Sequence, residues 1–274
     1  MKHRIVLIAL ATVFLLAACT QTPATEPTPT TSENPTNSVE EVTIYIPESV
    51  TAIAPDGTVQ MILHYVFEEG WQEKEQFSVT VQIEDPSNLL EDSVDTGTLM
   101  SFIYSEKHMV QETMGTNRTE TVLDENGRAI SQTMTYLMET APHEKMETLM
   151  TYDAFGRLLT QETKNYTRGE AEPQVTVTTV SYTETDTGSE GRSENGGIIY
   201  VRVYDKDYRL ICSITLINGE ETSRTEQEYD GAGNLIKAVS YFQGEVMSEM
   251  HYTYTAVEVS AEFVERMPQF NRAE

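Results

Sequence analysis

YDAFGRLL, residues Tyr152–Leu159, is matched by YDGAGNLI at Tyr229–Ile236 and more loosely by LDENGRAI at Leu123–Ile130 and YDKDYRLI at Tyr204–Ile211. The aspartates Asp124, Asp153, Asp205 and Asp230 are spaced by 29, 52 and 25 residues, so the middle interval holds about two periods. Gly127, Gly156 and Gly233 occupy the fourth place counted from the aspartate, where Tyr208 stands in the third unit. A second series keeps step with the first. In Arg168-Gly169-Glu170, Asn218-Gly219-Glu220 and Gln243-Gly244-Glu245 the glycine follows the preceding aspartate by 14 to 16 residues. Upstream, Asp56-Gly57 precedes Gly70 by 14, with TVQMILHYVF between them.

Asp bonds its own backbone two residues on, and Gly supplies a positive φ without a Cβ penalty, so each such segment predicts a hairpin turn. Between turns the chain is rich in Thr, Tyr, Val, Ile and Met, which suit a pleated surface. Two alternating turn series at this distance predict an all-β protein. Its expected form is an antiparallel hairpin meander in one extended sheet, with curvature left open. Apart from the N-terminal segment, only SAEFVER near the C-terminus reads as a short helix, capped by Ser260.

The segments resemble the YD repeat of the rearrangement-hot-spot (Rhs) and teneurin-like families, whose unit reads roughly Tyr-Asp-x-x-Gly-(Arg/Asn)-Leu. Tyr152–Leu158 and Tyr229–Leu235 match it fully, whereas Leu123 replaces Tyr and Tyr208 replaces Gly in the other two. The likeness covers about residues 98–256 and implies β-hairpins. In long members these coil into a shell around a toxin. This chain has too few units for a shell, so that activity does not carry over. The chain also resembles short YD-containing lipoproteins of gut bacteria.

Several expected strands carry almost no hydrophobe, such as ETSRTEQEY (Glu221–Tyr229) and TQETKNYT (Thr160–Thr167). Strands packed on both faces read as continuous apolar runs. These must be solvated on at least one face and in places on both. Residues 39–97 are more apolar (EVTIYI, TVQMILHYVF, FSVTVQI) and form an N-terminal β region. Whether it is a small sandwich or the first strands of the same sheet stays open, and the last residues, 257–274, form a tail.

Ahead of this stand MKHRIVLIALATVFLLAAC and a Thr/Pro tract. Lys2 and Arg4 precede a run from 5 to 18 that is apolar apart from Thr12. That is too short for a bilayer span of roughly 20 residues and reads as a secretory signal, residues 1–18. Leu16-Ala17-Ala18-Cys19 resembles the bacterial lipobox, which implies lipidation of the Cys19 sulfur and cleavage before it. Residues 19–38 comprise that cysteine and a linker with seven Thr and four Pro, which lacks any apolar residue larger than Ala24. It cannot offset its own ordering, and at ~3.1 Å per residue it reaches at most about 60 Å. The expected location is the extracytoplasmic face of a bacterial membrane, with the lipid anchor as the membrane contact.

The formal charge is −26, and since residues 1–18 hold two bases and no acid, the mature chain stands at −28. Such a chain repels phosphate backbones, so nucleic acid is not an expected partner. With Cys19 acylated, Cys212 is left alone, and its place in YRLICSITLI reads as a small buried hydrophobe.

Catalytic and metal chemistry find no foothold. His64, His108, His143 and His251 show no ligand spacing, and His143-Glu144-Lys-Met-Glu147 lacks the second histidine of a zinc-protease helix. Asp205-Lys-Asp207-Tyr208 lacks the third ligand and the Gly of a calcium loop. No cofactor is expected. Trp71 and the tyrosines read as packing residues, with an aromatic platform as the alternative. The expectation is a non-enzymatic surface binding or structural module, with an extracellular protein or polysaccharide as its partner. A carrier for lipid or another apolar ligand is the alternative.

Overall fold

The computed structural model describes residues 41–86, 98–113 and 115–270. The signal, Cys19 and the linker lie outside the described residues, as do the first two and last eleven residues of the N-terminal β region 39–97, residue 114 and the end of the tail.

The chain is all-β, with one antiparallel sheet of 17 strands. The first four are β1 (Glu41–Ile53), β2 (Val59–Phe67), β3 (Gln76–Glu84) and β4 (Thr98–Ser105). β5 (His108–Thr113), β6 (Asn117–Leu123), β7 (Ala129–Tyr136), β8 (His143–Tyr152) and β9 (Leu158–Thr167) follow. Next come β10 (Gln174–Thr179), β11 (Ser181–Thr185), β12 (Gly188–Asn195) and β13 (Ile198–Tyr204). The last four are β14 (Leu210–Ile217), β15 (Glu220–Tyr229), β16 (Leu235–Phe242) and β17 (Glu245–Ser260). A short helix, α1 (Ala261–Arg266), follows β17 and leads into a 3-10 turn at Pro268–Phe270.

The expected extended sheet, with its curvature left open, fits only loosely: the sheet nearly closes into a barrel. β1 pairs along its length with β17 and also with β2, which joins the first and last strands. The other break falls between β10 and β11. β10 pairs with β9, β11 pairs with β12, and Val180 between them still donates to the Leu159 carbonyl at 2.8 Å. One run, 174–185, thus serves one neighbour with its first half and the other with its second. Counting that run once leaves sixteen strands, and only an even number lets the first and last of an up-and-down meander meet antiparallel.

Alternation of strand direction sorts the turns. The Asp124, Asp153, Asp205 and Asp230 turns all lie at one end, with Glu41 and Ser260. Gly57, Gly169, Gly219 and Gly244 lie at the opposite end. The upstream pair therefore runs out of phase, with Asp56-Gly57 at the second end and Gly70 at the first. Asn218–Gly219 and Gln243–Gly244 have positive φ at both residues, which matches the twist of flanking strands in two-residue hairpins.

One face of the sheet carries the core. Ala238, Met250, Ala52 and Met61 form a row across β16, β17, β1 and β2, small residues alternating with methionines. A second row starts apolar and turns polar: Phe77, Tyr104, Met109, Thr121, Gln132, Thr148, Thr163 and Thr176 oppose one another in turn from β3 to β10. The main apolar cluster therefore lies over β1–β5 and β16–β17, where α1 and the 3-10 turn close over it, while Leu123 and Met150 are buried singly beyond it. Trp71 is buried among Phe67, Phe77, Phe263 and Phe270, with ring centroids 5.1 to 6.1 Å away. It packs the core and offers no platform. Ser260 caps α1 by accepting from the Phe263 amide at 3.1 Å. The segment beyond α1 reaches the β6–β7 turn, where a Cβ on Gly127 would meet the backbone of Gln269 at 2.7 Å. Residues 261–270 thus lie as a chord across the end that holds Glu41.

The opposite face carries ladders of charge. Arg118 bridges Glu112 and Glu120 at 2.9 and 3.1 Å. Glu147 accepts from Lys145 and from the Tyr166 hydroxyl, both at 2.7 Å. Lys237 pairs with Glu249 at 2.9 Å. A bilayer-spanning barrel presents an outward apolar band, and these ladders are its contrary. Cys212 corrects an expectation: it lies half-buried beside Glu226, not sealed in the core. Burial, with Glu226 adding, raises its thiol above the ordinary value.

Candidate functional site

The four aspartate turns share one construction. Oδ1 of Asp124, Asp153, Asp205 and Asp230 accepts from the amides two and four residues on, at 2.8 to 3.0 Å. Oδ2 accepts from the side chain four residues on: Arg128, Arg157 and Arg209 through Nε at 2.7 Å, and Asn234 through Nδ2 at 2.9 Å. A strand bulge precedes every turn, at Leu123, Tyr152, Tyr204 and Tyr229. The requirement for Arg or Asn at the fifth place follows from the second carboxylate oxygen. Gly127, Gly156 and Gly233 have φ of 73, 81 and 79°, and Tyr208 holds the same conformation at 59°.

The motif tyrosines Tyr152 and Tyr229 tie their turns to the one before. Tyr152 donates to the Ala129 carbonyl at 2.8 Å and Tyr229 to the Leu210 carbonyl at 2.9 Å, in both cases five residues past the preceding aspartate. The arginine of that preceding turn lies over the tyrosine ring, Arg128 over Tyr152 at 5.1 Å and Arg209 over Tyr229 at 5.5 Å. Tyr182 repeats both contacts. Its hydroxyl donates to the Leu158 carbonyl at 3.0 Å, and Arg157 lies 4.4 Å over its ring. Tyr182 is therefore the tyrosine of a fifth unit, hidden in the 52-residue interval because its Asp-x-x-Gly turn is gone. The signal that could have found it is its distance from its neighbours, 30 residues after Tyr152 and 22 before Tyr204.

Arg157 gathers this region. It pairs with Asp153 at 2.7 Å and with Glu184 at 2.6 Å, and lies within 5.6 Å of the Phe155, Tyr182 and Tyr208 rings. Burial works against its charge, yet Glu184 and Asp153 hold its pKa above the ordinary value. Tyr182 covers Gly191, where a Cβ would lie 2.6 Å from the ring. Burial, and then Tyr204, push its phenol well up. The cluster thus locks the second unit to the hidden one and, through Tyr208, to the third.

Chemically this is a structural clasp. The turn carboxylates are saturated by backbone amides and by guanidinium or, at Asp230, side-chain amide donors, so they present no ligand set to a cation. Among the described residues no group of three or more His, Cys, Asp or Glu stands close enough to hold a metal. His64 reaches Glu84, and His251 reaches Glu249.

No family model and no curated protein matches the chain. Solved structures do. A porin-like protein from Bacteroides uniformis aligns with TM-score 0.43 and 10% identity over 78% of this chain and 96% of its own. An exported protein with a YmcC-like fold from Bacteroides fragilis aligns with TM-score 0.27 and 10% identity, covering 78% and 100%. The Tc holotoxin pore of Photorhabdus luminescens aligns with TM-score 0.22 and 17% identity over 69% of this chain, which spans 11% of that one. At such scores these likenesses carry no functional weight.

Proposed function

We propose that the chain is a non-enzymatic binding module, lipid-anchored on the extracytoplasmic face of a bacterial membrane, that meets a neutral or cationic extracellular protein or polysaccharide. The observation that supports this is the polar row from Thr121 to Thr176 on the core-bearing face, set back to back with charge ladders on the other. A lipid carrier needs a dry apolar cavity, and Thr121, Gln132, Thr148, Thr163 and Thr176 put a row of hydroxyl and amide groups across the core-bearing face. The anchor would enter at the end holding Glu41 and leave the opposite end outward. Exposed Leu137, Met138, Phe242 and Met247 lie there.

The mature protein, immobilised and offered envelope extracts, host extracts and glycan arrays, should retain a partner. If that partner is cationic, retention should weaken between low salt and about 0.5 M, because exposed charges are screened beyond a Debye length. Lipid co-purifying with the protein, together with no retained partner, would contradict the proposal and favour the carrier.

A further inference from the structure

Beyond naming the class, the fold offers a place for the partner. We propose that β10 is a docking edge for an extended, basic-flanked peptide segment, which adds to the sheet as an antiparallel strand. This rests on the binding-module reading and specifies where and how the partner sits.

Among the described residues β10 pairs with β9 alone. Val180 is bonded to Leu159, and alternation along an antiparallel strand then turns the amides and carbonyls of Gln174, Thr176 and Thr178 toward β9. Those of Val175, Val177 and Thr179 face the other way. From Ser181 on, that direction is taken by β12, which pairs as far as Arg192. Before Val180 it is taken by no strand among the described residues. A wedge opens there between β10 and the end of β12, toward the end remote from Glu41.

Edge strands are normally blunted by Lys, Pro or a bulge. QVTVTT has none within it, its register with β9 is regular, and it carries no charge in a chain of −26. Val175 and Val177 are 54 and 59% exposed and would pack the alternate side chains of an added strand. The flanks choose the occupant. Glu170 and Glu172 stand before the strand and Glu194 stands across the wedge, all exposed. The nearest cation, Lys164, opposite Val175, is engaged by Glu162 at 3.0 Å, while Arg192 lies opposite Ser181, past the wedge. A second copy of this chain would bring the same glutamates together, whereas a peptide with basic ends would neutralise them.

The test uses the mature protein and a synthetic peptide of alternating Thr and Val with Lys at both ends. The peptide should slow hydrogen exchange at the Val175, Val177 and Thr179 amides and leave Gln174, Thr176 and Thr178 as they were. Val177→Pro removes an N–H that faces the open edge and spares the β9 ladder. It should weaken binding about tenfold or more, with melting little changed. Peptide binding without protection at those amides, or undiminished in a folded Val177→Pro variant, would overturn the edge and leave the binding-module reading standing. A lack of any protection up to about 1 mM peptide, a weak affinity by any measure, would overturn it too. So would a dimer of the protein that Val177→Pro abolishes, since the edge would then belong to a second copy.

Discussion

The ring of Phe155 stacks on the ring of Tyr208, with centroids 4.7 Å apart and planes 18° from parallel. The two residues sit on turns 52 residues apart in the repeat, at Asp153 and Asp205, and on opposite sides of the run 174–185 where the sheet comes together. Tyr208 breaks the glycine series of the repeat, standing at a left-handed φ of 59° where its counterparts are glycines. An L side chain there costs roughly 1–2 kcal/mol. The aromatic contact offsets much of that, since such pairs contribute about 0.5–1.5 kcal/mol beyond area burial.

A double-mutant cycle checks this. Phe155→Ala should destabilise by about 1 kcal/mol and Tyr208→Gly should be close to neutral, strain relief balancing lost stacking. The coupling between them should be about 0.5–1.5 kcal/mol in denaturant unfolding. Additive effects would show that the stack contributes nothing to closure.

The glycine turns separate two causes of strain. Gly233, at φ 79°, has open space within 4 Å of the point where a Cβ would stand, so Gly233→Val suffers backbone strain alone and should lose ~1 kcal/mol or more. Gly127 has the same conformation and also lies against the Gln269 backbone. Gly127→Ala should therefore cost more than Gly233→Ala and expose the C-terminal segment to proteolysis. Equal losses at the two sites would place that segment elsewhere.

How much of this was legible in the sequence depends on where each determinant lies. The turns at Asp153 and Asp230 were, because Asp, Gly and the fifth-place Arg or Asn act within five residues. The Ser260 cap was legible for the same reason. Closure was not. It depends on β1 meeting β17, residues such as Glu41 and Ser260 that nothing local relates, and on Val180, an ordinary residue at which one strand changes partners. Tyr182 escaped because a tyrosine without its aspartate looks like any strand residue. Cys212 was misjudged because a strand alternation shows which residues share a face and does not show whether that face is covered.

Acid should reveal the β2–β3 turn. Hydrogen bonds from Lys74 first, then from Ser78, hold Glu68 at about 2, below its ordinary 4.5. A carboxylate lowered in the folded state contributes stability above its unfolded value and loses it as pH falls through the folded one. Glu68→Gln should thus lower the melting temperature at pH 7, with the gap to the unmodified protein closing between about pH 4.5 and 2. The comparison must be between variants, because acid also relieves the chain's self-repulsion. A gap that persists at pH 2 would contradict the ion pair as its cause.

Anchoring should depend on the Cys19 sulfur. Cys19→Ala should abolish incorporation of labelled fatty acid and leave uncleaved precursor. A variant that still takes up label would remove the lipid anchor from the proposed function.

The central structural claim is that the run 174–185 joins both sides of the sheet. Thr160–Thr179 and Tyr182–Gly191 are both opposed pairs of the kind in which antiparallel α-protons face each other closely. Nuclear Overhauser spectra of the folded protein should show α-proton contacts for both pairs in one molecule. Contacts for only one of the two, with the other half of the run unpaired, would mean an open sheet and contradict the closure.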